Sequence, residues 1–115
     1  MSSTPKQIAM RWVLLAFFVL VSTTTAFCVL GYRDHRRRQE NQNMYVCSHN
    51  LKRIYNAKLM WAAKNKRPDE DTPRESDLFG PSHELTEKPV CPGGGLYTIG
   101  KVGEEPKCSI AAHNF

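Results

Sequence analysis

The chain has 115 residues, a formal net charge of +5 and 41% hydrophobic residues, and these averages conceal three different segments. Residues 12–32 carry no charge, and 16 of these 21 residues are apolar. Residues 33–66 carry nine Lys and Arg against two acids, whereas residues 67–115 carry five against nine, so the net charge changes from +7 to −4. The polar remainder is too short for a two-domain enzyme, because one domain usually needs about 100–200 residues. The basic excess lies beside the apolar run, which favours a membrane surface over nucleic acid as its anionic partner.

The apolar run, residues 12–32, predicts a membrane-spanning helix. At about 1.5 Å per residue it is about 31 Å long, which is enough to cross the hydrocarbon core of a bilayer. Cleavage of a signal peptide after Ala26 is an alternative. The apolar stretch that follows, residues 27–30, argues against cleavage, and Phe27 directly before Cys28 disfavours a lipoprotein site.

A basic amphipathic helix, residues 33–67, is expected to continue directly from the span, because this segment contains no Pro and no Gly. It ends before Pro68, since a proline disfavours the α conformation in the residue that precedes it. Apolar residues recur at helical spacing and predict one packing stripe, in which the aliphatic stem of Lys58 fills a gap. The stripe consists of Met44, Cys47, Leu51, Ile54 and Trp61. A basic patch at the membrane surface is predicted at Arg33, Arg36, Arg37 and Arg38.

A small head, residues 68–115, is expected after this helix. The sequence Thr72-Pro73-Arg74-Glu75 predicts a short helix, with the Thr as N-cap, the Glu completing a capping box, and an end near Gly80. Residues 93–110 predict a β-hairpin, which must pack against the stripe because an isolated hairpin is marginal in water. A calcium site is an alternative role for the acidic residues, although they lack the spacing of an EF-hand. These residues are Asp69, Glu70, Asp71, Glu75 and Asp77.

None of the four cysteines has the close spacing of a typical zinc or thioredoxin site. A disulfide between Cys91 and Cys108 is the preferred prediction, because it closes a loop of about 17 residues and stabilises the head by about 3 kcal/mol. Cys47 is the competing partner. A metal site formed by two cysteines with His83 or His113 is an alternative. The sequence contains no catalytic motif, so we predict no enzymatic activity, no cofactor and no small-molecule substrate.

Two signals disagree about the side of the membrane on which the head lies. Lys6 and Arg11 precede the span and four arginines follow it closely, so the positive-inside rule places the head in the cytoplasm. A disulfide requires an oxidising compartment, which places the head outside. A cytoplasm-facing anchor in which residues 33–38 hold anionic lipids is therefore a further alternative.

An ordered set of short motifs occupies residues 44–115. It comprises Cys47-Ser48-His49-Asn50-Leu51-Lys52-Arg53-Ile54, Ala57-Lys58, Trp61-Ala62, Asp77-Leu78, Pro89-Val90-Cys91-Pro92-Gly93-Gly94-Gly95-Leu96-Tyr97-Thr98-Ile99-Gly100, Pro106-Lys107-Cys108-Ser109 and His113. The set resembles the pilin-like proteins related to type II secretion pseudopilins, in the short form common in Planctomycetes and Verrucomicrobia.

The resemblance implies an α+β fold in which a long N-terminal helix, membrane-spanning in its first half, carries a compact head on the periplasmic side of the inner membrane. Residues 1–11 are then a cytoplasmic segment. It also implies a non-enzymatic structural or interaction subunit related to type II secretion pseudopili or type IV pilus-like fibres. Its partners are membrane lipid and other pilin-like subunits or secretion-system proteins, and nucleic acid is not among them.

The chain departs from this family at its N-terminal end. Family members begin the membrane helix with a prepilin-peptidase site, in which a Gly precedes an aromatic-rich run with Glu at the fifth mature position. Residues 9–15 contain neither the Gly nor the Glu. Processing and polymerisation are therefore left open, and a secreted or membrane-anchored binding module with a Cys/His metal site is the alternative function.

Overall fold

The computed structural model describes residues 4–114 and contains one long helix followed by a small mixed head. The order of elements is α1 (Pro5–Asn65), α2 (Glu75–Leu78), β1 (Tyr97–Thr98), β2 (Lys107–Cys108) and a 3-10 helix (Ala111–His113). The predicted combination of a long N-terminal helix with a short helix and a β-hairpin is confirmed. By its internal contacts the chain divides into two units, one up to Arg38 and one from Gln39 onward.

The ends of α1 follow from local backbone chemistry. Pro5 suits the first helical position because its fixed φ is helical and it needs no hydrogen-bond acceptor. The carbonyl of Thr4 accepts hydrogen bonds from the N–H groups of Gln7 (2.9 Å) and Ile8 (3.2 Å). At the other end Lys66 adopts a positive φ of 53°. The helix thus ends at Asn65, two residues before the predicted end at residue 67.

The N-terminal part of α1 is apolar and exposed. Its most apolar 18-residue window has no buried residue, and the helix is long and apolar enough to span a membrane. Trp12 is 68% exposed and Phe27 is 80% exposed. The polar run Ser22–Thr25 does not break the helix, because each hydroxyl donates to a main-chain carbonyl three or four residues earlier, at 2.5–3.1 Å. These hydroxyl groups are therefore satisfied without water.

The core of the head consists of two apolar clusters that line one face of α1. The first contains Cys47, Leu51, Cys91 and Cys108, and the second contains Ile54, Ala57, Leu78 and Leu85. Tyr97 packs against both clusters. The head is thus built directly on the last part of the helix.

The residues of the packing stripe differ in burial. Cys47, Leu51 and Ile54 are at most 1% exposed, and Trp61 is half-buried against the second cluster. Met44 is 40% exposed because it precedes Cys47, the first buried residue of α1, and so lies outside the core. The central part of the stripe is therefore the part that the head covers.

The head has little regular structure. β1 and β2 are antiparallel and pair Tyr97 with Cys108 and Thr98 with Lys107, a ladder of two residue pairs within the predicted hairpin. A single parallel bridge joins Phe79 and Leu85. Side-chain packing therefore contributes more to the head than sheet hydrogen bonding does.

The predicted capping box of the short helix is wrong by two residues. α2 begins at Glu75, and its N-cap is Arg74 instead of Thr72. The carboxylate of Asp77 accepts the Arg74 N–H at 2.8 Å. Arg74 has the extended φ and ψ of an N-cap, and Asp77 supplies at N3 the acceptor that the prediction assigned to Glu75.

Candidate metal centre

Four buried side chains, one from α1 and three from the head, lie close together. Cys47 lies on α1, Cys91 in the loop before β1, Cys108 on β2, and His113 on the 3-10 helix. Their ligand atoms, the three sulfurs and one imidazole nitrogen, all lie within 4.8 Å of one another. The relative exposure of each residue is 5% or less.

The glycines after Cys91 allow its loop to pass close to the cluster. The N–H of Gly94 donates to the Cys91 carbonyl at 3.0 Å and closes a tight turn, in which Gly94 has a φ of +81°. A Cβ on Gly93 would lie 2.7 Å from Cε1 of His113, and one on Gly95 would lie 2.5 Å from Sγ of Cys108. Real Cβ atoms do not approach so closely, so both positions require glycine.

The Asn114 side chain holds the segment that carries Cys108 and His113. Its Oδ1 accepts the Cys108 N–H at 2.7 Å, and its Nδ2 donates to the Cys108 carbonyl at 3.1 Å. The same Nδ2 is 3.3 Å from the carbonyls of Ile110 and Ala111. These bonds fold the chain back after β2 and bring His113 beside the strand.

The predicted disulfide between Cys91 and Cys108 is not present in the structure. All of the described cysteines are free, and the two sulfurs lie 3.9 Å apart, against about 2.05 Å in a disulfide. Cys91 Sγ instead lies 3.2 Å from Nδ1 of His113. Cys47 belongs to the same cluster, so three sulfurs and one imidazole nitrogen form a single group.

The surroundings of Cys91 and Cys47 differ electrostatically. Burial raises the pKa of Cys91, but hydrogen bonds from the N–H of Gly95, from His113 and from the N–H of Gly93 outweigh it and lower this pKa below its ordinary value. Burial raises the pKa of Cys47 well above its ordinary value, against a hydrogen bond from Tyr97 that lowers it. Of these two cysteines, Cys91 is the one whose surroundings favour the thiolate.

A polar relay supports Cys47. Tyr97 packs against the cluster that contains Cys47, and burial, followed by the interaction with the Cys47 side chain, raises the pKa of Tyr97. Asn50 Nδ2 donates to the Tyr97 hydroxyl at 3.2 Å and to the Val90 carbonyl at 3.1 Å. Sequence reasoning missed Asn50, although a polar residue one turn after Cys47 on a buried helix face is a signal for such a role.

Lys58 does more than fill a gap in the packing stripe with its aliphatic stem. Its exposure is 0%, and its ammonium donates to the main-chain carbonyls of Ile99 at 2.7 Å and Glu104 at 2.5 Å. This group holds the turn between β1 and β2 against α1. The sequence signal was a lysine in the middle of an apolar stripe.

Other candidate residues lie apart from the cluster. His83 is exposed. Two of the acidic side chains form ion pairs, Glu75 with Lys88 at 2.5 Å and Asp71 with Arg67 at 3.6 Å, and Asp77 caps α2. The residues of the basic patch are all exposed, and Arg38 pairs with Asp34 at 2.5 Å.

Comparison with known proteins gives no relative for this chain. No family model matches it, and no curated protein and no solved structure matches it significantly.

Proposed function

We propose that the chain is a non-enzymatic, single-pass membrane protein that acts as a pilin-like structural or interaction subunit, related to those of type II secretion pseudopili or type IV pilus-like fibres. The observation that carries the proposal is the exposed apolar part of α1, which belongs to the same helix on which the head is built. The ordered motifs of residues 44–115 supply the pilin-like part of the proposal. In this role lipid and neighbouring subunits are the partners.

The free energy gained by burying the exposed apolar side chains supports a location of this segment in a membrane. Fully burying a large apolar side chain is worth about 1.5–3 kcal/mol, and residues 12–32 expose more than a dozen of them. Leaving this surface in water would cost more than the whole stability of a typical small domain, which is about 5–15 kcal/mol. A bilayer covers the surface completely, and its thickness fits the length of the segment.

We place the head outside the cytoplasm, on the periplasmic side of the inner membrane. The basis for this orientation is the family resemblance. The four arginines after the span oppose it under the positive-inside rule, and the described cysteines form no disulfide that would support it.

Protease accessibility tests this orientation. An epitope fused after Phe115 is followed while protease is added to intact spheroplasts, and a cytoplasmic protein serves as the control for leakage. We expect the head to be digested in intact spheroplasts. Protection until the membrane is lysed would place the head inside and overturn the orientation.

Cross-linking in the membrane tests the subunit role. A photoreactive side chain at Leu20, which is 63% exposed, is compared with one at Gln39, which lies outside the apolar segment. We expect Leu20 to give adducts with another copy of this chain or with another membrane helix. Adducts with lipid alone at both positions would contradict a role as a subunit.

A second candidate function is a secreted or membrane-anchored binding module, and the Cys/His cluster is the observation that favours it. Its four ligand atoms are buried and lie within 4.8 Å of one another, which is the arrangement that a metal site inside such a module needs. The intact mass of protein extracted from the cell envelope separates the candidates. A mature chain that begins at Phe27 would support the secreted form.

A further inference from the structure

We propose that Cys47, Cys91, Cys108 and His113 bind one Zn²⁺ ion in a closed structural site that ties the head to α1. The proposal concerns only residues of the second unit and does not depend on the membrane role.

The distances within the cluster fit tetrahedral zinc. Zn–S bonds of about 2.3 Å and Zn–N bonds of about 2.0–2.1 Å place two ligand sulfurs about 3.8 Å apart, and a sulfur and a nitrogen about 3.6 Å apart. The observed separations are 3.9 Å between the sulfurs of Cys91 and Cys108, and 3.2 Å between the Cys91 sulfur and His113 Nδ1. Adjustments of a few tenths of an ångström thus suffice for these two pairs.

Hydrogen bonds around the ligand residues are a second observation. The N–H of Ile110 lies 3.5 Å from the Cys108 sulfur. A donor directed at sulfur favours the negatively charged thiolate, which is the form that binds metal. The Asn114 side chain also bonds to the N–H and the carbonyl of Cys108, and such outer hydrogen bonds commonly orient metal ligands.

The donor set selects the metal. Three thiolates and one imidazole form a Cys₃His set, which is typical of structural zinc. Calcium and magnesium prefer oxygen ligands, and the cluster has none. Iron–sulfur clusters are usually held by four cysteines, whereas the fourth cysteine of this chain, Cys28, is exposed in the first unit.

Zinc uses the cluster more completely than a disulfide does. A disulfide between any two of the three cysteines would leave the third thiol and His113 buried without a common partner. One zinc ion engages all four groups and links α1, the Cys91 loop, β2 and the 3-10 helix. It also supplies the cross-link that the sequence predicted, without requiring an oxidising compartment.

Metal analysis of the full chain in detergent micelles tests the site. We expect one Zn²⁺ per chain, bound in a Cys28→Ser background so that every remaining thiol belongs to the cluster. Co²⁺ in place of zinc should give the intense visible bands of a tetrahedral ion and sulfur-to-metal charge transfer. The spectrum of an octahedral ion without charge transfer would overturn the proposal.

Paired histidine variants make the test specific. His113→Gln should weaken Zn²⁺ binding by at least about 100-fold. Loss of a residue that only hydrogen-bonds to a metal ligand already lowers metal affinity by about 10–100-fold, and His113 is itself a ligand. His83→Gln makes the same chemical change at an exposed position of the same head and should leave binding unchanged. Equal zinc affinity in both variants would overturn the site.

Thiol protection keeps the proposal testable if a variant fails to fold. In the Cys28→Ser protein, zinc should shield all three cysteines from N-ethylmaleimide, and chelation should expose all three to it. If intact mass shows a Cys91–Cys108 disulfide and no zinc in protein that was made with zinc under reducing conditions, the proposal is wrong.

Discussion

Lys58 is a buried cation whose position is determined by two main-chain carbonyls. Its ammonium donates to the carbonyls of Ile99 and Glu104, and among residues 4–114 no carboxylate lies within ion-pair distance of it. Burial of a charge is costly, but leaving two inward-facing carbonyls without a donor is costly as well. The arrangement is therefore stabilising only as a unit of the lysine and its turn.

Replacement of Lys58 by methionine should destabilise the head. Lys58→Met keeps the length of the stem but removes the donor of both carbonyls, and we expect a loss of about 1–3 kcal/mol. Lys52→Met, at an exposed position of the same helix, should change stability by less than about 0.5 kcal/mol. Hydrogen exchange of the β1 and β2 amides measures the difference, and equal protection in the two variants would contradict this role.

The same residue predicts a pH dependence. Burial lowers the pKa of Lys58 from 10.5, and the nearby charge of Glu104 only partly offsets this effect. Between the lowered pKa and 10.5 the unfolded state binds more protons than the folded state, so this contribution to stability rises as pH rises through that window. The stability of the wild type minus that of Lys58→Met should therefore increase from neutral pH towards pH 10.5. A difference that stays constant would show that the lysine pKa is not lowered in the folded state.

At the scale of elements, the capping box of α2 lies two residues after the position that the sequence predicted. Asp77→Ala removes the acceptor of the Arg74 N–H and should cost about 0.5–2 kcal/mol, the usual value of a cap. Thr72→Ala should cost almost nothing, although the prediction from the sequence, with Thr72 as N-cap, makes it the more damaging change. Hydrogen exchange of residues 74–79 distinguishes the two variants. A larger effect of Thr72→Ala would support the capping box that the sequence predicted.

The elements that sequence reasoning predicted are those with a local cause. The 3.6-residue periodicity, the absence of Pro and Gly, and Pro68 are sufficient for α1 and its end, and β-prone residues on both sides of a turn are sufficient for the hairpin. The cluster was only partly predictable. Its ligands lie far apart in sequence and share no short spacing, so their convergence depends on the tertiary packing of the Cys91 loop and of the turn that Asn114 closes.

At the scale of the whole molecule, the apolar part of α1 should determine how the protein is extracted. Leu15 and Leu20 are both more than half exposed, and an arginine costs about 2.5–3.5 kcal/mol at the centre of a span, near Leu20, and less towards the end, near Leu15. The double variant Leu15→Arg/Leu20→Arg should therefore move from the membrane pellet to the supernatant or to aggregates after alkaline carbonate treatment.

A matched variant controls for the added charge. Gln39→Arg/Asn41→Arg introduces the same two charges outside the apolar run, and it should stay in the pellet like the wild type. Equal extraction of both double variants would mean that the segment is not a membrane span.

The positions of the four cluster residues along the chain affect the order in which the protein folds during synthesis. Cys47 is made with α1, whose hydrogen bonds are local, whereas the other three residues follow only after residue 90. Until then the face of Cys47 and Leu51 has nothing to pack against, since the residues of the first cluster that cover it are distant in sequence. The nascent helix thus presents an uncovered apolar face and a free thiol, and during that interval it is most exposed to aggregation and to wrong thiol pairing.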